Sequence, residues 1–408
     1  MDAFGITSKD VLGLSSYGLR SSFIQEGDDL NSIIVDTLKM AKNSFWKRAQ
    51  NIDCARTYKD NDIIAIKESV LARSQGNYAT TDQIIYDLRQ KFPDDVLGVV
   101  GSITSRNRFS PVLEAIAKAG FKKVIIQFGY PSDEVGNHFV SMRQVRDAGI
   151  NPYQDHLTEA QFFGHFGKTK HSVTKMDYVE YYKSFGDHIE IVFDNNINKI
   201  SKMTNQVLGA DIHTRVDTKL DLRQAGVERV FGLDNILSSP NHGSGHNEEY
   251  GLLGSNKADD GRVKLFPRGC QEYVESLQRI LFAKFGIMFQ VMIFADGMFK
   301  CPRTKIWEFA DPIGAPGFTD GLAGGPVEIK IKHEVDKLVA KGYSRKKIYQ
   351  DIMKMVLDAA KTQAFGTTPR MYVDLLTSLA DLISGSGDKG TPIILIQRYF
   401  ENYYLRAA

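Results

Sequence analysis

A glycine-rich polar turn near the C-terminus constrains this chain more than any other feature of its sequence. It joins an apolar helical stretch to the apolar run 393–396 and reads Ser384-Gly385-Ser386-Gly387-Asp388-Lys389-Gly390-Thr391-Pro392. Glycines allow positive φ angles and let backbone N–H groups approach an anion closely, while lysine supplies a cation and aspartate a hard oxygen ligand. The turn therefore predicts a site that holds phosphate oxygens and a divalent cation.

The turn does not match the Walker A pattern of nucleotide-binding proteins. In that pattern Gly-Lys-Ser/Thr opens a helix, whereas here Lys389 precedes Gly390 and the chain continues into a strand. Any nucleotide fold is therefore not the P-loop fold. On composition alone, the alternative interpretation is a Gly/Ser linker at the tip of a loop.

Composition limits the classes of protein to which the chain can belong. Its 408 residues, 42% apolar and 25% charged, are typical of a globular protein with two or three domains. A net charge of +2 gives no strong field for nucleic acid or an anionic membrane, so we expect neither partner. The apolar stretch 285–299 is too short to span a bilayer, and three cysteines without metal spacing favour a reducing cytoplasm.

Strand and helix signals alternate along most of the chain, which is typical of an α/β protein. In the first segment, 62–66 reads as a short buried strand. The alternation restarts near residue 94, with predicted strands at 96–100, 124–128, 189–193, 207–212 and 229–231. We interpret residues 94–231 as a mostly parallel α/β domain of its own, and residues 1–93 and 232–408 as the other domain.

Four polar segments have the composition of ligand-binding loops. They lie at 67–77, 241–257, 296–305 and 384–392. Together they offer cations for phosphate and carboxylates for a hard metal ion. The cations are Arg73, Lys257, Lys300 and Lys389, and the carboxylates are Glu68, Glu248, Asp296 and Asp388. Each segment alone also fits a solvated loop or a helix cap.

Asp296 is the strongest single candidate, because it directly follows the buried strand predicted at 289–295. Active-site acids commonly lie at strand ends in α/β proteins, and a buried carboxylate needs a metal or a cation as its partner. The alternatives are an N-cap of the next turn or an ion pair with Lys300 or Arg303. Histidines cluster in the middle domain without zinc spacing, so we expect packing or surface roles for them.

Four segments resemble, in order, the motifs of the glutamate ligases of the deazaflavin coenzyme F420. They are 24–30, 66–76, 295–299 and 385–392, and the resemblance covers residues 10–80 and 235–400. It implies an enzyme that joins L-glutamate to a phospholactyl-deazaflavin through a gamma-type amide bond, with GTP and Mg²⁺ or Mn²⁺. It also implies a ligase-like mixed α/β core and a homodimer.

The resemblance further implies the residues of the site. The nucleotide contacts are Lys67, Glu68, Ser69, Arg73, Asn256, Gly385, Ser386, Gly387, Asp388, Lys389, Gly390 and Thr391. Taken together with the carboxylates and cations of the polar segments, the resemblance predicts Asp296, Asp388 and Glu248 as metal ligands and Asp296 and Lys389 as catalytic residues.

The sequence departs from the family pattern at two positions. Gly297 stands where the metal-site motif has threonine, and Leu253 aligns with an aspartate of the family. One cation ligand is therefore lost or replaced, with Glu248 or Asp259 as the candidates. The domain 94–231 has no counterpart in the short ligases, so we interpret it as an insertion that shapes a different acceptor site.

The leading hypothesis is an acid–amine ligase that uses GTP or ATP to add L-glutamate to a small-molecule carboxylate. The acceptor stays open between the deazaflavin, a folate and another acid. A non-catalytic nucleotide- or metabolite-binding protein derived from the same fold is the alternative. A dinucleotide oxidoreductase is disfavoured, because no GxGxxG stands between a strand and a helix.

Overall fold

The computed structural model describes residues 13–48, 58–171, 174–296, 298–300, 307–309, 314–325, 329–362, 371–385 and 389–401. The strands are β1 (Ser15–Leu19), β2 (Ile63–Lys67), β3 (Tyr78–Thr80), β4 (Val96–Val100), β5 (Lys123–Phe128), β6 (Leu157–Thr158), β7 (Ile189–Phe193), β8 (Gln206–Gly209), β9 (Arg229–Gly232), β10 (Asn256–Asp259), β11 (Arg262–Lys264), β12 (Gln290–Phe294), β13 (Met298–Lys300), β14 (Trp307–Phe309), β15 (Gly317–Phe318) and β16 (Ile393–Gln397). The α-helices are α1 (Leu30–Arg48), α2 (Glu68–Ser74), α3 (Thr81–Lys91), α4 (Phe109–Lys118), α5 (Met142–Asp147), α6 (Glu159–Phe166), α7 (Tyr178–Lys183), α8 (Arg215–Gln224), α9 (Cys270–Phe285), α10 (Ile331–Ala340), α11 (Arg345–Thr362) and α12 (Tyr372–Ser384). Short 3-10 helices lie at Ile197–Lys202, Leu233–Asn235 and Asp320–Leu322. The mixed α/β class predicted from the sequence is confirmed.

The first sheet joins segments from both ends of the chain, in the order β1-β16-β2-β12-β15. β2 and β12 are parallel neighbours, whereas β16 runs antiparallel to β1 and β2. Every residue of β2, β12 and β16 is buried, and in each strand four of the five residues are apolar, as expected for strands covered on both faces. Helices α1 and α9 pack on one face of this sheet and α12 packs on the other.

The second sheet has the order β6-β7-β5-β4-β8-β9 and is parallel except at β6. It is the mostly parallel sheet expected in the middle of the chain, although β8 ends at Gly209 rather than at Ile212. The core on one face includes Leu97 and Val124 and continues into Leu88 and Leu265, which flank the predicted domain. The division at 94 and 231, and the origin of this part as an insertion, stay predictions.

Smaller sheets complete the described chain. β10, β11 and β3 form one of them, and β13 pairs with β14. β3 leads directly into α3, whose first turn carries a capping box between Thr80 and Gln83. Within the described residues, no helix has the length and apolar character needed to cross a bilayer.

One sequence expectation about local structure is wrong. The segment 67–77 was expected to be a polar loop, but α2 occupies Glu68–Ser74. Leu71 and Ala72 are buried, and the carboxylate of Glu68 in the first turn complements the positive end of the helix dipole. Burial of two small apolar groups therefore outweighs the polar composition of the segment.

Candidate active site

The carboxyl ends of β2 and β12 meet at one edge of the first sheet, because these strands are parallel neighbours. Lys67 is the last residue of β2, and Asp296 follows β12 by two residues. β16 runs antiparallel to β2 and therefore begins at the same edge. The backbone N–H of Lys67 donates to the carbonyl of Pro392 at 2.9 Å. Sheet topology thus brings the end of the glycine-rich turn beside Lys67 and Asp296.

The Lys67 side chain lies between two carboxylates. Its Nζ atom donates to Oδ1 of Asp296 at 2.5 Å and to Oδ1 of Asp381 at 3.3 Å. The side chain is only 5% exposed, so it needs such partners to remain charged in the interior. The ring of Phe294, with its centroid 5.2 Å from Nζ, adds a favourable cation–π contact.

Lys67, Asp296 and Asp381, the cluster at this sheet edge, stabilise one another's charged forms. Burial disfavours the Lys67 ammonium, but Asp296 and then Asp381 outweigh it and raise the pKa of Lys67 above its ordinary value. Burial acts to raise the pKa of Asp296, yet Lys67 and Arg108 hold that pKa below its ordinary value. Lys67 and Asp296 therefore form a charged pair at neutral pH.

Arg108 brings the second sheet into the cluster. It lies in the connection between β4 and α4, and its Nη2 atom is 3.4 Å from Oδ2 of Asp296. The neighbouring carbonyl of Asn107 accepts from the backbone N–H of Lys257 at 2.8 Å. Sequence reasoning missed Arg108, whose only local signal is that a cation follows a predicted strand.

A second buried ion pair lies between α2 and β11. The Nζ atom of Lys264 donates to both carboxylate oxygens of Glu68, at 2.6 and 2.9 Å. Both side chains are largely buried, and Asn256 of β10 pairs directly with Lys264 across the small sheet. Ser69 is half-buried on α2 and Arg73 is exposed near its end.

The described ends of the glycine-rich turn have the backbone that its composition predicts. Gly385 has φ +59° at the end of α12, and a Cβ atom there would lie 2.8 Å from Cγ of Lys389. Gly390 also has a positive φ, of +66°. The hydroxyl of Thr391 is buried without a hydrogen-bond partner among the described residues. Ser386, Gly387 and Asp388 lie outside the described residues.

The predicted metal ligands are not gathered by the part of the chain that the structure describes. Among those residues, no three His, Cys, Asp or Glu side chains stand close enough together to hold a metal ion. Glu248 is 78% exposed with its carboxylate 3.5 Å from His246, while Asp259 binds Arg262. Asp296 contacts Lys67 and Arg108, and its side chain is 35% exposed. A metal role for Asp296, Asp388 and Glu248 stays a prediction.

Asp381 is the functional candidate that sequence reasoning had the least chance of finding. It stands in α12, a helix whose Leu376 and Ala380 pack against the first sheet. Its side chain is 11% exposed, and its Oδ1 faces Lys67. The available signal was a carboxylate on the apolar face of a predicted helix. Such a group is buried on folding and needs a cation beside it.

The F420-0:gamma-glutamyl ligase family model matches residues 18–398, which is nearly the whole chain. The chain belongs to this family. The resemblance read from the sequence is thereby confirmed, and the family is one of ligase enzymes. None of the curated proteins matches the chain.

The match to the F420-0:gamma-glutamyl ligase family extends beyond the segments that carried the resemblance. The resemblance covered 10–80 and 235–400, whereas the matched range also takes in the strands of the second sheet. Arg108 shows that this sheet contributes a side chain to the cluster around Asp296. The second sheet is therefore joined to the site by direct contact.

Proposed function

We propose that the protein is an acid–amine ligase that uses GTP or ATP to add L-glutamate to F420-0 or to another small-molecule carboxylate. Membership of the F420-0:gamma-glutamyl ligase family supports the reaction class. One observation carries the proposal further: Lys67 lies between Asp296 and Asp381 at the sheet edge where the glycine-rich turn ends. This edge combines fixed charge with a backbone suited to phosphate.

The groups around the turn fit a nucleotide phosphate. The hydroxyl of Thr391 has no partner among the described residues, but it is buried against Gly18 of β1 and is not open to a phosphate oxygen in this conformation. The positive φ angles of Gly385 and Gly390 suit a turn that curves around an anion. Lys389 packs against Gly385 and supplies an exposed cation within the turn. These features support nucleotide binding without distinguishing GTP from ATP.

The proposed chemistry has two steps. An oxygen of the acceptor carboxylate attacks the γ-phosphorus, the bond from that phosphorus to the bridging oxygen breaks, and an acyl phosphate and a nucleoside diphosphate form. The glutamate amine then attacks the acyl carbon, the carbon–oxygen bond to phosphate breaks, and an amide, inorganic phosphate and a proton result. Positioning and electrostatic stabilisation are sufficient, so no nucleophilic side chain is needed.

The charged side chains have separate roles in this scheme. Lys67 stays protonated because its pKa is raised, so it offers a fixed positive charge to the transferred phosphoryl group. Asp296 orients Lys67 through its Oδ1 atom and Arg108 through its Oδ2 atom. Mg²⁺ usually uses one or two carboxylates together with nucleotide phosphates, and Asp296 and Asp381 are the described carboxylates that would hold it. Such a cation, Mg²⁺ or Mn²⁺, would neutralise phosphate charge when bound.

A binding protein without catalysis is the alternative that one observation favours. Leu253 aligns with an acidic residue of the family, and it is 1% exposed within an apolar core, where it has no means of binding a cation. If that acid is essential to the chemistry, the chain binds a nucleotide or metabolite without turning it over.

Incubation with F420-0, L-glutamate, Mg²⁺ or Mn²⁺, and GTP or ATP separates these alternatives by mass spectrometry. The ligase proposal predicts F420-0 carrying one added glutamyl residue, with one nucleoside diphosphate and one phosphate formed for each amide. Folic acid in place of F420-0 tests the other acceptor class. Calorimetric binding of nucleotide without its consumption under any of these conditions would support the binding protein instead.

We also propose that the enzyme is a cytoplasmic homodimer. The family resemblance supports the dimer, and the low cysteine content supports a reducing compartment. Light scattering on the purified protein tests the first point, with twice the mass of one chain expected. Fractionation of the source cells tests the second.

A further inference from the structure

The second sheet has a crevice of the kind that binds ligands in open α/β sheets. Its first strand, β4, has β5 on one side and β8 on the other, so the strand order reverses at β4. The loops that leave the carboxyl ends of β4 and β8 therefore diverge, and ligands bind between such loops. A cleft of about 340 Å³ lies there, lined by 103–108 from the first loop and Ile212 from the second.

A network of hydrogen bonds fixes one wall of the cleft. Asp133 accepts from the N–H and the hydroxyl of Thr104 at 2.8 and 2.9 Å, and also from the backbone N–H of Asn137. Asn137 in turn contacts Nε2 of His171, whose Nδ1 accepts from the backbone N–H of Thr174. Burial lowers the pKa of His171, in agreement with a neutral ring held between these partners. The wall is therefore pre-organised.

The cleft combines an apolar floor with positive charge. Ile103, Val135 and Ile212 provide apolar surface, and the Tyr178 ring stands edge-on to His171 with 5.6 Å between ring centroids. Arg106 and Arg108 line the same cleft, whereas none of the described residues lining it is acidic. Such a surface selects an anion with an apolar or aromatic body.

Arg106 is the cation in this cleft without an internal partner. It is exposed, and its guanidinium makes no hydrogen bond or ion pair with any other described residue. Arg108, two residues later, is 19% exposed and is held at Asp296 instead. One short loop thus carries Arg106, which is open to a ligand, and Arg108, which is joined to the catalytic cluster of Lys67, Asp296 and Asp381.

We propose that this cleft is the binding site for the acceptor acid. The acceptor's apolar body lies on Ile103, Val135 and Ile212, a remote anionic group binds Arg106, and the reacting carboxylate points to Arg108 at the catalytic cluster. The proposal rests on the ligase function proposed above. It assigns the second sheet a task in specificity, because a bidentate guanidinium contact discriminates strongly for carboxylate or phosphate groups.

The test compares Arg106→Ala with Arg143→Ala in the full-length protein. Arg143 is 84% exposed on α5 and is not among the residues lining the cleft, so it controls for the loss of one positive charge. With F420-0, L-glutamate and nucleotide, Arg106→Ala is expected to raise the KM for F420-0 about tenfold or more. The KM values for glutamate and nucleotide, and kcat, stay unchanged. Arg143→Ala leaves all of these parameters unchanged.

Equilibrium dialysis of F420-0 and of folic acid without nucleotide separates this proposal from the ligase function. If the wild type forms amide but Arg106→Ala leaves the acceptor KM unchanged, or alters the nucleotide KM instead, the cleft assignment is overturned and the ligase function stands. If the wild type forms no amide yet binds one acid in a manner lost in Arg106→Ala, the cleft assignment stands and the ligase function falls. Binding of neither acid to the wild type overturns the assignment.

Discussion

The Nζ atom of Lys67 lies 2.5 Å from the Oδ1 atom of Asp296, although 229 residues separate them along the chain. The contact joins the ends of two parallel strands, because Lys67 is the last residue of β2 and Asp296 lies two residues after β12. The backbone of Lys67 is bonded to Pro392 as well. Lys67 therefore links the ends of the two strands with the end of the glycine-rich turn.

Replacing Lys67 by methionine should abolish activity and lower the free energy of unfolding. The substitution leaves Asp381, which is 11% exposed, and Asp296 without their shared ammonium. Loss of one partner from a buried ion pair lowers the free energy of unfolding by roughly 3 kcal/mol. Urea unfolding followed by circular dichroism measures this change, and nucleotide turnover measures the activity.

Lys39→Met provides the matched control for the lysine substitution. Lys39 forms an exposed ion pair with Asp36 on α1, and such pairs contribute less than about 1 kcal/mol. Equal losses of stability in the two variants would show that the carboxylates around Lys67 do not depend on its charge.

The contribution of the Asp296 carboxylate to the free energy of unfolding should disappear in acid. Its pKa lies below 3.8 in the folded state, so its contribution to stability is present above 3.8 and is lost as the pH falls through the lowered pKa. The pKa of Lys67 is raised above 10.5, so Lys67 keeps its charge throughout this range. The difference in unfolding free energy between wild type and Asp296→Asn should therefore shrink below pH 3.8.

Asp36→Asn, an exposed substitution on α1, serves as the control for this profile. Asp296→Asn should also lower kcat/KM by about 100-fold or more, since it removes a preorganised charge from the site. A stability difference that stays constant into strong acid, together with unchanged turnover, would contradict the assignment of Asp296 as a charged partner of Lys67.

Gly385 offers a comparison between backbone strain and nucleotide binding. Gly385 and Gly286 both end a helix, with φ angles of +59° and +66°. Alanine at either position should cost roughly 1 kcal/mol of stability, because a Cβ atom disfavours this conformation. At Gly385 the new Cβ atom would also lie 2.8 Å from Lys389, whereas at Gly286 nothing lies within 4 Å.

Gly385→Ala should therefore raise the KM for nucleotide, and Gly286→Ala should leave it unchanged. Thermal unfolding checks that the two variants lose similar stability, and steady-state kinetics check the binding effect. A rise in the nucleotide KM of both variants would mean that general strain, rather than the turn, is responsible.

The pair of Glu68 and Lys264 should behave as a coupled unit. The two side chains are 9% and 12% exposed and share two hydrogen bonds. A double-mutant cycle with Glu68→Gln and Lys264→Met should give a coupling energy of about 1–3 kcal/mol in unfolding experiments. Additive effects of the two substitutions would argue against a direct contact between α2 and β11.

The sequence predicted the parts of the fold that local patterns determine. The strands β2, β12 and β16 each contain a run of four apolar residues, and each was expected near its observed position. Asp296 was identified because a carboxylate after such a run stands out. Helix α2 was missed, because the polar composition of 67–77 hides the burial of Leu71 and Ala72.

The partners of Asp296 were harder to predict for a physical reason. Arg108 and Asp381 reach it or Lys67 from elements that are distant in sequence, and only the order and direction of the strands bring them together. No local periodicity encodes such contacts. The pairing of Glu68 with Lys264 depends in the same way on how β11 crosses α2.

The fate of an oxygen label in the acceptor carboxylate shows whether an acyl phosphate forms. The acceptor carboxylate is labelled with a heavy oxygen isotope, and the wild-type enzyme is supplied with L-glutamate and the nucleotide that it uses. We expect each amide formed to transfer one labelled oxygen to inorganic phosphate, because that oxygen attacks the γ-phosphorus beside Lys67. Phosphate released without label, or amide formed without nucleotide consumption, would contradict this expectation.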